Sequence, residues 1–412
     1  MKVLLYGANG WIGGQVNEIL VKGGHEVIIG KERNEKMLEE EIITTKPTHI
    51  MSFIGRTHGS ITVKDIICGN ETCKEYTTID YLEQPGKLVE NVRDNLFSPI
   101  VLAILSQKYN IHYTYMGTGC IFTYNDEELA NMCDDPNGTN DPDGTNDPDG
   151  TTDPNDPKGT NDPKGTYDNN DPNGTNDPEG TNDPKDPKGT KGPKGTKDIN
   201  STKNPKGTYD NNDPDGPNDP KGPNGNNGNN GNNDPKDNNG TEGGGGIYKF
   251  KETDEPNFFG SSYSTVKGYT DRLMHLFSNV LNVRIRMPIT ADYNPRNFIT
   301  KILKYKKICS VQNSMSVLPE LLPIMVNMAE KGRTGTINLV NPGTISHNEI
   351  LHLYRLYIDP TFTWSNFSIE EQQKVLAAGR SNNHLDTTSL EKDYDVQNIH
   401  NAVATIFMHL RQ

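Results

Sequence analysis

The sequence predicts an α/β fold, a Rossmann-type doubly wound parallel sheet with a smaller C-terminal substrate lobe and a long disordered insert. Three observations carry that expectation. A glycine-rich turn, Gly7-Ala-Asn-Gly10-Trp-Ile-Gly13, directly follows the first apolar run. Strand-like and amphipathic stretches then alternate along the chain, the pattern of a parallel sheet covered by helices. Between Asp126 and Gly246 the chain is nearly all Asn, Asp, Pro, Gly, Thr and Lys.

The elements follow in order. Apolar runs predict strands at Val3–Tyr6, Val27–Ile29, His49–Ile54, His112–Met116, Val283–Met287 and Thr336–Val340. Helical periodicity predicts Trp11–Val21, Asn34–Thr45, Lys87–Tyr109, Tyr263–Val280 and Val317–Lys331. Past Val340 the pattern is mainly helical, and Ser346-His-Asn-Glu349 and Ser368-Ile-Glu-Glu371 have the spacing of capping boxes. The expected organisation is a first Rossmann part over 1–125, an insert over 126–246, a second Rossmann part over 247–340 and a helical substrate-binding lobe over 341–412. That lobe would lie over the sheet's carboxyl edge, where such folds bind ligands.

The insert repeats units such as Gly138-Thr-Asn-Asp-Pro142 and has Tyr167 and Tyr209 as its only aromatics. With almost nothing to bury against chain entropy, disorder is its expected state. It carries 26 acidic and 11 basic residues, a net charge of −15 against −14 for the whole chain, so the remainder is +1. The acidity therefore describes the insert and not the partners of the folded part. No basic patch with interleaved aromatics is present, which argues against nucleic acid. Enlarging a loop from ~15 to ~120 residues costs only about 2 kcal/mol of closure entropy, so a fold can carry such an insert.

Five cysteines (Cys68, Cys73, Cys120, Cys133, Cys309) form no even disulfide framework, and the Cys68/Cys73 pair has no second ligand pair for zinc. No metal site is expected. No apolar run approaches the ~18 residues of a membrane span, and the chain opens on a strand without a cleavable signal. A soluble protein of the reducing cytoplasm is the expectation.

The glycine turn has the spacing G-x-x-G-x-x-G between a strand and a helix. Positions without side chains let the backbone approach a pyrophosphate at the helix N-terminus. Gly7, Gly10, Trp11, Ile12 and Gly13 are thus candidate dinucleotide contacts. After Ile29 come Gly30-Lys31-Glu32-Arg33, with no acidic residue on the strand tip itself. Arg33 or Lys31 facing a 2′-phosphate favours NADPH over NADH, and a solvated basic loop is the plainer alternative. Tyr263 and Lys267 stand four residues apart at the start of a predicted helix and share one face. A neighbouring cation lowers a phenol's pKa, so Tyr263 is expected to serve as a general acid or base. Thr118 closes the predicted strand before it.

These motifs resemble the extended short-chain dehydrogenase/reductases. Gly117-Thr-Gly-Cys-Ile-Phe122, Arg286-Met-Pro-Ile-Thr290, Asn294-Pro-Arg-Asn-Phe-Ile-Thr-Lys301, Asn341-Pro-Gly, Ser346-His-Asn-Glu-Ile350, Tyr357-Ile-Asp-Pro360 and Arg380-Ser-Asn-Asn383 narrow the resemblance. The chain resembles the bifunctional UDP-4-keto-6-deoxy-D-glucose 3,5-epimerase/4-reductases of plants and giant viruses over almost everything outside the insert. It is weakest between Thr57 and Gln84. The resemblance implies that Cys120 and Lys301 invert C3 and C5, and that Thr118, Tyr263 and Lys267 serve the reduction at C4 with NADPH. It also implies an Asn, here Asn95, supporting the catalytic site, and a homodimer packed through helices beside the Tyr/Lys helix. Arg296, Asn297 and Arg380 are candidates for the nucleotide diphosphate. The alternatives are a reductase without the epimerising pair, the same chemistry on a 2-acetamido sugar, and a non-catalytic regulatory subunit.

Overall fold

Alternating side chains of the first strand already serve two cores. In the computed structural model, which describes residues 1–31, 34–64, 71–133 and 247–411, six strands form the central sheet. They are β1 (Lys2–Tyr6), β2 (Glu26–Ile29), β3 (His49–Ser52), β4 (His112–Thr118), β5 (Val280–Ile285) and β6 (Gly335–Asn338). Their order is β2-β1-β3-β4-β5-β6 and every pair is parallel. Val3 and Leu5 pack under the helices Trp11–Lys22 and Leu318–Glu330. Leu4 and Tyr6 pack under Glu35–Thr45, Ser98–Lys108 and the neighbourhood of Met274. A sheet buried on both faces needs this near-continuous apolar run. Strand order reverses between β1 and β3, which opens a crevice at the carboxyl ends.

Two of the expected helices differ informatively from the observed elements. The helix expected over Tyr263–Val280 runs Ser262–Met274. Asn279 donates to Ile111 O at 2.7 Å and Ser106 Oγ at 3.1 Å, which turns the chain into β5 three residues early. The helix expected over Lys87–Tyr109 is Leu88–Val92, a π turn Arg93–Phe97 and Ser98–Lys108. Pro99 has no N–H to give Asn95 O, and Thr270 Oγ1 takes that carbonyl instead at 2.7 Å. The widened turn leaves the buried Asn95 amide to hold Arg56 N at 3.0 Å and Arg56 O at 2.9 Å.

The expected start of the insert at 126 needs correcting. Asp126–Met132 is a helix with a complete Asn125/Glu128 capping box, and Met132 and Leu129 pack with Tyr124, Cys309 and Val311. The remainder of the expected disordered insert lies outside the described residues. Its two ends meet: Tyr248 N donates to Glu128 Oε1 at 3.0 Å. Phe250 then stacks on Phe122 with ring centroids 4.8 Å apart.

The expected division at residue 340 is not a division in the packing. Ile289, Ile302 and Met315 share a core with Ile345, Ile350, Val403 and Phe407, while Leu390 joins the core under the sheet. The helices His347–Tyr357 and Ile399–Leu410 bury their apolar faces against each other and against the segments that follow β5. Among the described residues no helix is long and apolar enough to cross a membrane.

Because the ends are tied to each other, removing residues 136–244 should leave the fold intact. A melting temperature equal to or above that of the full chain is expected, since the shorter loop costs about 2 kcal/mol less to close. A melting temperature lower by 5 °C or more in scanning calorimetry would contradict it.

Candidate active site

The glycine turn takes its shape from close backbone contacts. Gly7 has φ +82°, in the left-handed region that favours glycine. A Cβ on Gly13 would stand 2.2 Å from Gly7 O, so the helix can start this close to β1 only without one. Gly10 caps the helix Trp11–Lys22 with no side chain over the N-terminus and no acidic residue in the first turn. Trp11 Nε1 is buried there without a hydrogen-bond partner. Open N–H groups at a positive helix end and an orphaned indole donor fit a dinucleotide's pyrophosphate.

Arg33 lies outside the described residues. Lys31 is exposed. Glu41, from the following helix, reaches the β2 tip, where its two oxygens accept from Lys31 N at 3.1 Å and Tyr6 Oη at 2.7 Å.

The helix Ser262–Met274 is fixed at its start from three directions. Ser261 Oγ caps Ser264 N at 3.0 Å, Glu83 accepts from Ser262 N at 2.7 Å, and Asn91 donates to Ser262 Oγ at 2.8 Å. Its buried face carries both Tyr263 and Lys267. Lys267 does not act on the phenol as expected. Its Nζ donates to Tyr115 Oη at 2.5 Å and to Met116 O at 3.2 Å. Burial pushes the ammonium down to about 7, opposed by Asp271 and Cys120. The expected lowering of Tyr263 is also reversed: burial first, then Cys120, holds its phenol above the ordinary value, with Thr118 pulling it back. A raised phenol stays protonated near neutrality and suits a proton donor.

Cys120 follows β4 on a tight turn, its N–H donating to Thr118 Oγ1 at 3.1 Å. It lines a cleft of about 980 Å³ together with Tyr263, Arg380 and Cys309. Burial pushes the Cys309 thiol up to about 12, so that second sulfur stays a thiol. Lys301 sits in the short helix Phe298–Ile302. Its ammonium is held below lysine's ordinary value by burial, then by the Arg296 and Arg380 charges, with Cys120 opposing. The residues on either side of the insert thus converge on one sulfur.

The three diphosphate candidates fare differently. Asn297 is a correction: it is buried and caps the Phe298 helix, and its amide donates to Thr290 O at 2.8 Å and Asp292 O at 2.6 Å. No donor is left for a phosphate. Arg296 is exposed and donates to His58 Nε2 at 2.7 Å. His58, pushed to about 4 by burial and the surrounding cations, is a neutral acceptor. Arg380 lines the cleft and is held by Asp80 at 2.5 Å and by Ala378 O at 2.8 Å. Sequence reasoning missed Asp80, whose other oxygen accepts from Ala377 N and Ala378 N at 3.0 Å each. It also missed Arg286 and Asn383, two buried residues behind the Cys120 turn. Both lie in strings that carried the resemblance, yet nothing local marks a side chain as buried.

No family model matches the chain. Protein L780 of Acanthamoeba polyphaga mimivirus is 39% identical over 403 residues, covering 97% of this chain and 95% of that protein. The crystal structure of the L780 UDP-rhamnose synthase from that virus matches at 38% identity and a TM-score of 0.65, over 99% of each chain. The chain belongs to the L780 UDP-rhamnose synthase family. An Arabidopsis thaliana bifunctional dTDP-4-dehydrorhamnose 3,5-epimerase/reductase is 55% identical over 146 residues, 35% of this chain and 48% of that protein. The Bacillus anthracis dTDP-4-dehydrorhamnose reductase in complex with NADP shares the fold, with a TM-score of 0.56 at 13% identity and 99% coverage of both chains.

The buried Lys267 predicts a signed pH effect. Near pH 6 the folded and unfolded chains both carry the proton, and folding bears the cost of burying it. Between about 7 and 10.5 the unfolded chain binds more protons, so this group's contribution to stability rises with pH. Lys267→Met should therefore stabilise the cofactor-free protein by roughly 1–3 kcal/mol at pH 6, with the gain shrinking toward pH 9. Denaturant titrations at both pH values check this, and an equal effect at both would refute it.

Proposed function

We propose that this chain converts UDP-4-keto-6-deoxy-D-glucose to UDP-L-rhamnose, by inverting C3 and C5 and then reducing the C4 ketone with NADPH. The observation that supports the reading is that Cys120 and Tyr263 line one cleft, with Thr118 hydrogen-bonded to Tyr263 and to Cys120 N, and Lys301 within the electrostatic reach of the Cys120 sulfur. A reductase alone would leave Cys120 and Lys301 idle.

The ketone makes the hydrogens on C3 and C5 acidic. Cys120 takes the proton from one face, and the electron pair moves onto the C4 oxygen. Thr118 and Tyr263 hydroxyls hold that oxygen. Lys301, with its ammonium already weakened by burial, returns a proton to the opposite face. Each inverted carbon thus loses one proton and gains one, and between the two inversions Cys120 releases its proton to water while Lys301 takes one up. NADPH, when bound, supplies the hydride for C4. Tyr263 gives its phenolic proton to the C4 oxygen, a role that its burial favours. Gly7, Gly10, Trp11, Ile12 and Gly13 would hold the cofactor's pyrophosphate, and Lys31 its adenosine end. Arg380, Lys304, Lys306 and Lys307 on the cleft wall, with Arg296 near Lys301, would offer a basic surface to the nucleotide diphosphate.

A homodimer is part of this reading. Phe97, Ile104, Tyr269 and Leu276 are each about half exposed or more, on or beside the helices Ser98–Lys108 and Ser262–Met274. So many large apolar side chains on adjacent helices suit a second copy. Ile104→Glu with Leu276→Glu should yield a monomer by light scattering, and an unchanged mass would remove this surface from consideration.

Product analysis tests the activity. Incubation with UDP-4-keto-6-deoxy-D-glucose and NADPH should give UDP-L-rhamnose, and a 6-deoxy product with C3 and C5 unchanged would refute epimerisation. Cys120→Ser and Lys301→Met should each slow product formation on the order of a hundredfold with NADPH affinity intact. Loss of NADPH binding in either would assign the residue to structure instead.

A further inference from the structure

Two arginines of neighbouring positions lie fully buried at the end of β5 and just past it. Arg284, within the strand, has a carboxylate of its own: Asp271 accepts from its Nη2 at 2.6 Å and its Nε at 3.0 Å. Arg286 is equally buried, yet its hydrogen-bond acceptors among the described residues are all neutral. Its Nε donates to Asn383 Oδ1 at 3.0 Å, and its Nη2 to Asn313 Oδ1 at 2.5 Å and to Ser381 O. Its Nη1 is buried with no partner at all. A guanidinium out of water without an anion is costly to fold around, and a protein that keeps one has an anion to set against it.

The backbone places that anion. Thr118 pairs with Ile285, and Gly119 N donates to Ile285 O at 2.9 Å, so Arg286 stands beside the Gly119-Cys120 turn. Asn383 links the two directly. Its Oδ1 holds Arg286 while its Nδ2 donates to Gly119 O and Phe122 O, each at 2.9 Å. Those carbonyls bracket Cys120. We propose that Arg286 is the counter-ion of the Cys120 thiolate, a positioning residue for the epimerising base; the assignment rests on the reading of Cys120 as that base.

The surroundings leave the thiolate as the counter-charge. Cys120 is the foremost charge favouring the Arg286 cation, ahead of Tyr124. Burial raises the Tyr124 phenol, which keeps it neutral. His347 is pushed down to about 4 by burial and by Arg286 itself, so it adds no charge. Lys267 and Lys301 also feel the Cys120 sulfur. Cys120, Ser381 and Asn382 line the cleft, while the buried Arg286 donates to Ser381 O and is not itself among the lining residues.

Alkylation of Cys120 by iodoacetamide, followed at pH 7 by peptide mass mapping without substrate, tests the pair, because the thiolate is the reacting species. Arg286→Met should slow it at least tenfold, with NADPH affinity retained, and Arg286→Lys should keep a third or more of the wild-type rate. Exchange of the substrate's C3 and C5 hydrogens in D2O should fall in parallel in Arg286→Met. Unchanged alkylation in an Arg286→Met protein that binds NADPH would overturn the proposal. So would unchanged alkylation with a raised KM, the result expected if Arg286 answered the substrate's anion. Should Arg286→Met not fold, Asn313→Asp, which gives Arg286 a carboxylate of its own, should slow alkylation tenfold, and an undiminished rate there would overturn it equally. Exchange in Cys120→Ser separates the two readings: retained exchange would remove Cys120 as the base, while the alkylation result would still judge the ion pair.

Discussion

The pairing of Thr118 with Ile285 across β4 and β5 is the constraint on which the site depends. More than a hundred residues of low-complexity sequence separate Cys120 from Tyr263 in the chain. Parallel strands four and five bring their carboxyl ends to one place regardless of that distance. From this register follow the Cys120 turn beside Arg286, and Lys267 donating into β4 at Tyr115 and Met116. A slip of one residue would turn the side chains of the slipped strand to the opposite face and part the Cys120 turn from Arg286.

The site's electrostatics are dominated by burial. Lys267, Lys301 and Arg286 are all cations whose charge is disfavoured by lost water, and each is partly restored by the same sulfur. The Tyr263 phenol is disfavoured as an anion for the same reason. One environment therefore serves both halves of the proposed reaction: it keeps the proton on the donor for reduction, and it gathers positive charge about the base for epimerisation. In a low-dielectric site such charges act strongly and need no rearrangement when the reaction occurs.

The insertion point is compatible with this arrangement because the fold closes it off. The capped helix Asp126–Met132 ends the first half, and Glu128 receives the first hydrogen bond of the returning chain. Phe250 on Phe122, and Arg284 through Lys251 O, then lock the returning segment to the sheet. Sequence between the two ends can lengthen without changing the geometry that either end presents to the cleft.

What the sequence determined by itself was local. The glycine spacing, the four-residue Tyr263/Lys267 interval and the strand–helix alternation depend on neighbours in the chain, so the fold class was legible in it, as was the placing of Tyr263 and Lys267 on one buried helix face. Periodicity alone placed a helix over Lys87–Tyr109 but did not register that Pro99 would break one hydrogen bond and widen a turn around Asn95. Only the tertiary structure decided which polar side chains are free. Asn297 reads as a ligand beside Arg296 in sequence, and its position over the Phe298 helix makes it a cap. The direction of the Tyr263 shift was decided by burial outweighing a cation that points elsewhere. Arg286 is one more arginine in sequence, distinguished from Arg284 because its hydrogen bonds among the described residues go to amide and backbone oxygens and not to a carboxylate. Burial and partnership are properties of residues far apart in the chain, and no local spacing encodes them.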